Sequence, residues 1–273
     1  MLEDEFVDVL RKAKRGAKLD DAALATATSL EAASIAAWTR GDAVPSHEEA
    51  ERLARALRLD LAKFADSAAE RWHPHVTLPA NVRHHRQFST PESNGYLLLS
   101  ETDRTVALID PAGDPQSLLD AVAATTYALR YIVITHKHAD HCESAGAVKA
   151  AHPQATIVVH AVDAFAIGDL AREATTVADG ERVPFGEGAF VALHTPGHTD
   201  GSTCYLAGDV VFTGDTLFAG SVGGAFGDRS TYADILSNVN KKLLTLDADV
   251  KVMPGHGPPS TIAEERAHNP FFV

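Results

Sequence analysis

Thr135-His136-Lys137-His138-Ala139-Asp140-His141 is the stretch from which the rest of the chain can be read. It follows Tyr131-Ile132-Val133-Ile134, a β-branched apolar run with the character of a buried strand. The residues after it, Cys142 to Ala151, are Ala-rich, with apolar side chains at helical spacing. The motif therefore lies where a strand ends and a helix begins, a place from which side chains leave a rigid scaffold. Three imidazoles and a carboxylate within six residues repel one another when protonated and leave lone pairs unmet when neutral. A divalent cation removes both costs, because neutral imidazole and ionised carboxylate are its natural ligands. A solvated His-rich loop is the simpler account, but ligand-type residues recur downstream in similar settings.

Composition bounds the answer. At 273 residues there is room for one large domain or two smaller ones, and 45% hydrophobic with 22% charged residues is ordinary for a soluble globular chain. No stretch approaches the run of about 18 apolar residues that a membrane span needs. The start, Met1-Leu2-Glu3-Asp4-Glu5, is acidic and lacks the basic-then-apolar form of a signal peptide. Two cysteines, Cys142 and Cys204, make no disulfide framework, so a cytoplasmic setting is expected. The net charge of −13 argues against a nucleic-acid coat or an anionic membrane as the main partner. A small-molecule substrate is expected instead.

Residues 1–71 read as all-helical. Phe6, Val7, Leu10 and Ala13 share one helical face, Asp20 or Asp21 can cap a second helix, and Ser46 with Glu49 forms a capping box. The stretch Ile35 to Ser46, with its Trp38-Thr39-Arg40-Gly41 turn, and Leu53-Ala54-Arg55-Ala56-Leu57 resemble a phage-repressor helix-turn-helix domain. The helix that would read bases, Leu30 to Ala37, offers one acid, one serine and no basic residue. Residues 1–71 hold 11 Lys and Arg against 14 Asp and Glu, a net of −3. Specific DNA binding is therefore not expected. Leu53, Leu57, Leu61 and Phe64 supply apolar surface beyond the needs of so small a domain, which suggests a separable lid or a homodimer contact. Residues 72–86 read as a linker, although His73, His75, His84 and His85 invite a second metal site. Pro74 and the opposite facing of adjacent strand residues disfavour that site.

From Gln87 onward the pattern is β with interleaved helices. Asn94-Gly95 reads as a turn ahead of Tyr96-Leu97-Leu98-Leu99, and Thr105 to Ile109 as a strand ending at Asp110-Pro111. Phe190 to Leu193 leads into Thr195-Pro196-Gly197-His198, Val210-Val211-Phe212 into Thr213-Gly214-Asp215, and Val250 to Met253 into Pro254-Gly255-His256-Gly257. Tyr232 to Leu246 reads as one amphipathic helix. Candidate ligands repeatedly fall just after a strand.

The ordered motifs Thr-His-x-His-x-Asp-His, Pro-Gly-His-Thr, Thr-Gly-Asp-Thr and Pro-Gly-His-Gly resemble the metallo-β-lactamase fold superfamily over residues 87–273. The resemblance implies an α/β fold, an αββα sandwich preceded here by the small all-α segment. It also implies two divalent metal ions, zinc above all, with iron or manganese as alternatives. His136, His138 and His198 would hold one ion, Asp140, His141 and His256 the other, and Asp215 would bridge them. Two cations about 3.5–4 Å apart generate hydroxide from a shared water at neutral pH. Asp140 and Asp215 would then be the catalytic carboxylates.

Within the superfamily, Gly214-Asp215-Thr216-Leu217-Phe218-Ala219-Gly220-Ser221 and Pro254-Gly255-His256-Gly257-Pro258 are most similar to the glyoxalase II-like branch. That implies a hydrolase in which the bridging hydroxide attacks a thioester or ester, as in hydroxyacylglutathione hydrolases. His138–His141 and Pro196–Gly201 also resemble the persulfide dioxygenases, which bind a single iron. A third reading is a metal-sensing DNA-binding regulator. Phe218, Phe226, Arg229 and Tyr232 are candidate substrate residues by position.

Overall fold

The computed structural model describes residues 2–273. Five helices come first: α1 Phe6–Ala17, α2 Asp21–Thr28, α3 Ala32–Arg40, α4 His47–Leu57 and α5 Leu61–Ala68. Their starts follow the capping chemistry in the sequence. Asp20 accepts from the backbone N–H of Ala23, Ser46 and Glu49 close a reciprocal box, and Asp60 accepts from Lys63.

The strands form two six-stranded sheets and one separate two-stranded hairpin. The first contains β1 Val82–Gln87, β2 Ser93–Ser100, β3 Thr105–Ile109, β4 Ala128–Val133, β5 Thr156–His160 and β6 Thr175–Val177, side by side in that order. β1 to β3 are antiparallel and β3 to β6 parallel. Next come β7 Arg182–Phe185, β8 Gly188–His194, β9 Thr203–Ala207 and β10 Val210–Gly214, a small hairpin of β11 Leu217–Phe218 and β12 Ser221–Val222, then β13 Lys251–Pro254 and β14 Ser260–Thr261. The second large sheet runs β14-β13-β10-β9-β8-β7.

Strand alternation divides the core. Ala107 and Ile109 of β3 meet Tyr205, Phe212 and Met253 between the sheets, while Val106 and Leu108 face outward. There they are covered by α6 Pro115–Ala123 and α8 Ala145–Ala151, through Leu118, Val122 and Val148. The outer face of the second sheet, Val211 and Val252, is covered by α9 Tyr232–Asn238 and α10 Ile262–His268. This is the αββα arrangement. Among the described residues no helix is long and apolar enough to cross a membrane.

Three local expectations are corrected. Asn94 and Gly95 lie inside fully buried β2 and not in a turn. A Cβ on Gly95 would stand 2.6 Å from the Gln87 amide nitrogen, so this glycine serves close packing. The stretch read as a linker contains most of β1, where His84 bonds Asn94 and His85 faces Ser117. The helix expected over Tyr232–Leu246 is regular only to Asn238 and then widens into a π turn over Val239–Leu243.

The N-terminal helices are not a free-standing module. Phe6, Leu10, Leu24, Leu53, Leu57 and Phe64 belong to the same buried cluster as Val211, Ile235, Leu243, Val252 and Phe271. Gly16 of α1 lets the Tyr232 ring press against the helix backbone. Lys63 donates to the carbonyls of Arg266 (2.7 Å) and Phe272 (2.6 Å), and the Asp60 N–H donates to Pro270 (2.8 Å). Leu53, Leu57 and Phe64 thus find their apolar partners within the chain, and Leu61 is half-buried. A Phe64→Ala substitution should cost about 3–5 kcal/mol. It should lower one shared thermal transition, with far-UV and aromatic signals moving together. Independent melting of the helices would show the core to be divided. Because α3 and its N-cap present Glu31, Ala32 and Ala33 to solvent, a gel shift at physiological salt should show no sequence-specific DNA complex.

Candidate metal centre

The ligand-type residues collect because strands of both sheets end at one edge. Asp110 follows β3, and the motif His136 to His141 follows β4, with Asp140 and His141 on the short helix α7 Ala139–Cys142. His198 lies between β8 and β9, Asp215 directly follows β10, and His256 follows β13.

All seven expected ligands converge. His136, His138, His198 and Asp215 bring one ligand atom each within 4.8 Å of one another, and so do Asp140, His141 and His256. In the first group His136 Nε2 is 3.1 Å and His198 Nε2 2.9 Å from His138 Nδ1. In the second, His256 Nε2 is 3.4 Å from His141 Nε2 and 3.4 Å from Asp140 Oδ2. Asp215 faces both. Its Oδ2 lies 3.3 Å from His198 Nε2, and its Oδ1 lies 3.3 Å from His141 Nε2 and 3.4 Å from His256 Nε2. That buried Oδ1 has no hydrogen-bond partner. An orphaned carboxylate oxygen facing imidazole nitrogens is what a cation site needs, and the donor set fits two divalent ions.

The outward nitrogens are held. His141 Nδ1 is 3.0 Å from Asp110 Oδ2, which also accepts from the Thr135 hydroxyl (2.8 Å), while Asp110 Oδ1 accepts from the Thr135 N–H (2.7 Å). His198 Nδ1 donates to the Gly224 carbonyl (2.7 Å) and His256 Nδ1 to that of Glu92 (2.6 Å). These bonds fix which nitrogen points inward. Asp163 accepts from the Lys137 N–H and the Thr199 hydroxyl and so ties the two His loops together. Asp110 and Asp163 were missed in the sequence. Only the position of Asp110 at a strand end, like every ligand, could have flagged it.

Burial lowers the pKa of His136 and His138 and brings His198 down to about 4. Burial opposes the charge of His141 too, but Asp215 and Asp110 outweigh it and push His141 up to about 10. Asp140 and Asp215 likewise outweigh burial at His256, which reaches about 11. Protons on this half of the site stand in for positive charge that a metal would bring.

Of the substrate candidates, Phe226 packs edge-on to His198 (5.4 Å) and His138 (6.0 Å) and is 58% exposed. Phe218 is buried beside His256, with Lys12 over its ring. Arg229 instead sits 3.6 Å from Asp200, its side chain 77% exposed. Tyr232 packs on Gly16 and Phe271. Cys204 is core, and the Cys142 thiol contacts the His138 carbonyl.

The sequence profile of the Metallo-beta-lactamase superfamily matches residues 91–256, more than half the chain. The chain belongs to this superfamily. Within it, hydroxyacylglutathione hydrolase GloC of Haemophilus influenzae is 29% identical over 192 residues, covering 64% of this chain and 91% of that protein. An uncharacterised protein of Mycobacterium leprae is 32% identical over 208 residues, covering 66% and 94%. Among solved structures, ETHE1 from Myxococcus xanthus aligns with a TM-score of 0.61 at 32% identity, over 69% of this chain and 83% of that one. TTHA1623, solved in a di-iron-bound form, aligns with a TM-score of 0.56 at 28% identity, over 74% and 100%. The superfamily match begins beyond the five N-terminal helices.

Metal uptake should release protons, because His141 and His256 are charged at neutral pH in the metal-free chain and must lose those protons to become ligands. Apparent affinity should therefore rise with pH between 6 and 9. Calorimetric titration in two buffers of different ionisation heat would measure the release, and uptake without any would contradict this charge state. Asp110→Asn, which removes the carboxylate behind His141, should weaken metal binding about 10–100-fold.

Proposed function

We propose that this protein is a metal-dependent hydrolase of a thioester or a related activated ester. The observation that carries this reading is the completeness of the second half-site. Asp140, His141 and His256 stand with their ligand atoms together, across Asp215 from the first three histidines. A single iron would leave one of these two facing groups of donors without a cation. The hydroxyacylglutathione hydrolase relative adds support for a thioester.

Divalent cations held by these residues would supply Lewis acidity and a hydroxide nucleophile at neutral pH. The remaining work falls to the chain. Asp215 faces both half-sites and keeps them in register. Asp140 is half-buried, and its pKa is lowered: burial opposes this, but the His256 hydrogen bond and the charge of His141 outweigh it. It is ionised at neutral pH and placed to take up the proton of the attacking water. Phe226 and Phe218 pack against His138 and His256, and Phe226, which is exposed, would meet the acyl group on its way to the histidines. In the reaction a C–O bond forms from water and the C–S bond breaks. The thiol leaves with one proton, and the carboxylic acid loses the other to solvent.

Protein purified without added metal should hold two transition-metal ions per chain and hydrolyse a simple acyl thioester. Asp215→Ala should lower kcat/KM by at least about 10²–10³-fold and reduce metal content, with the far-UV spectrum unchanged. One tightly held iron, an empty second site under metal excess and thiol-dependent oxygen consumption would replace the hydrolase with the dioxygenase.

A further inference from the structure

Helix α1 lines a cavity of about 390 Å³ against the loop that follows Asp215. The loop contributes the backbone of Gly223, Gly224 and Ala225, and α1 and its C-cap contribute Lys12, Arg15 and Lys18. Three cations and no carboxylate line this cavity, in a chain whose net charge is −13. Lys12 is partly committed, since it pairs with Asp4 and donates to the Val222 carbonyl (2.7 Å). Arg15 and Lys18 are exposed, and their side chains make no ion pair or hydrogen bond among the described residues. The Tyr232 ring forms part of the same wall.

The position matters as much as the charge. Gly224, in the cavity wall, is the residue whose carbonyl holds His198 Nδ1 at 2.7 Å. Ala225 precedes Phe226, which packs on His138 and His198. The cavity and the metal centre are therefore the two sides of one short loop. A ligand whose reacting carbonyl lay at the histidines could pass Phe226 and bring its far end to Arg15 and Lys18. Arg15 and Lys18, exposed and without an ion pair among the described residues, favour a carboxylate or phosphate oxygen.

We propose that α1 supplies an anion-binding subsite, formed by Arg15 and Lys18 with Lys12 behind them, for the thiol portion of the substrate. This rests on the hydrolase reading above. It narrows the substrate class to thioesters of a thiol that carries carboxylates or phosphates. It also gives the N-terminal helices a role in recognition, because none of the three cations belongs to the segment matched by the superfamily profile.

The test compares three acetyl thioesters with the intact, metal-loaded protein: those of glutathione, which carries carboxylates, of coenzyme A, which carries phosphates, and of neutral N-acetylcysteamine. The wild type should prefer one anionic thioester over the neutral one through a lower KM. The double variant Arg15→Glu, Lys18→Glu should reduce that preference at least tenfold, with kcat for the anionic thioester changed less than twofold. Which anionic thioester is preferred identifies carboxylate or phosphate as the ligand. Calorimetric binding of S-methylglutathione and of coenzyme A provides a second readout that needs no turnover. One of them should bind the wild type and be lost in the double variant. Binding of neither, or equal binding by both proteins, overturns the subsite. Charge-dependent binding without hydrolysis of any thioester would instead overturn the hydrolase reading and leave the subsite standing. Arg15→Gln, Lys18→Gln, which removes the charge without reversing it, should fall between the two proteins in both measurements.

Discussion

The Asp215 carboxylate is the constraint around which the molecule is arranged. It is buried, ionised and flanked by imidazoles on both sides, and one of its oxygens has no hydrogen-bond donor. A buried carboxylate is tolerated only when positive charge is held against it in a fixed geometry. That requirement explains why five strand ends from two sheets converge here. It also explains why the outward nitrogens of the histidines are tied to Asp110 and to the backbone of Gly224 and Glu92. Removing any of these supports would let a ring turn and leave the charge unmatched.

Much of this arrangement was legible in the sequence, and for one reason. Each ligand follows an apolar run that ends in a turn, so the linear order already placed His136, His198, Asp215 and His256 at strand ends. What was not legible depended on neighbours distant in sequence. Asp110 meets Thr135 and His141 only because β3 and β4 lie parallel and adjacent. Gly95 carries the composition of a turn, but its work is to let Gln87 and the Asp110 carbonyl come close across β2. Asp163 ties two His loops together from a region with no periodic signal.

The largest difference lies in the N-terminal helices. Their local signals were largely accurate: the Asp20 cap, the Ser46–Glu49 capping box and the apolar face of α4 appear where the residue pattern puts them, whereas on α1 it is Val9 and not Val7 that is fully buried. The pattern of Leu53, Leu57, Leu61 and Phe64 could say that an apolar face exists. It could not say that α9 and the C-terminal Phe271 would cover the same cluster. An excess of apolar surface on a short segment has two resolutions, another molecule or the rest of the same chain, and here the second is realised.

The contact between Glu3 and the loop after His256 bears on how this protein is handled. A Cβ on Gly257 would stand 2.8 Å from the Glu3 Cβ, so Glu3 lies against the rim of the metal centre. A polyhistidine purification tag joined ahead of Glu3 would tether six competing imidazoles beside the native ligands. It could strip or donate ions and blur any stoichiometry measured afterwards.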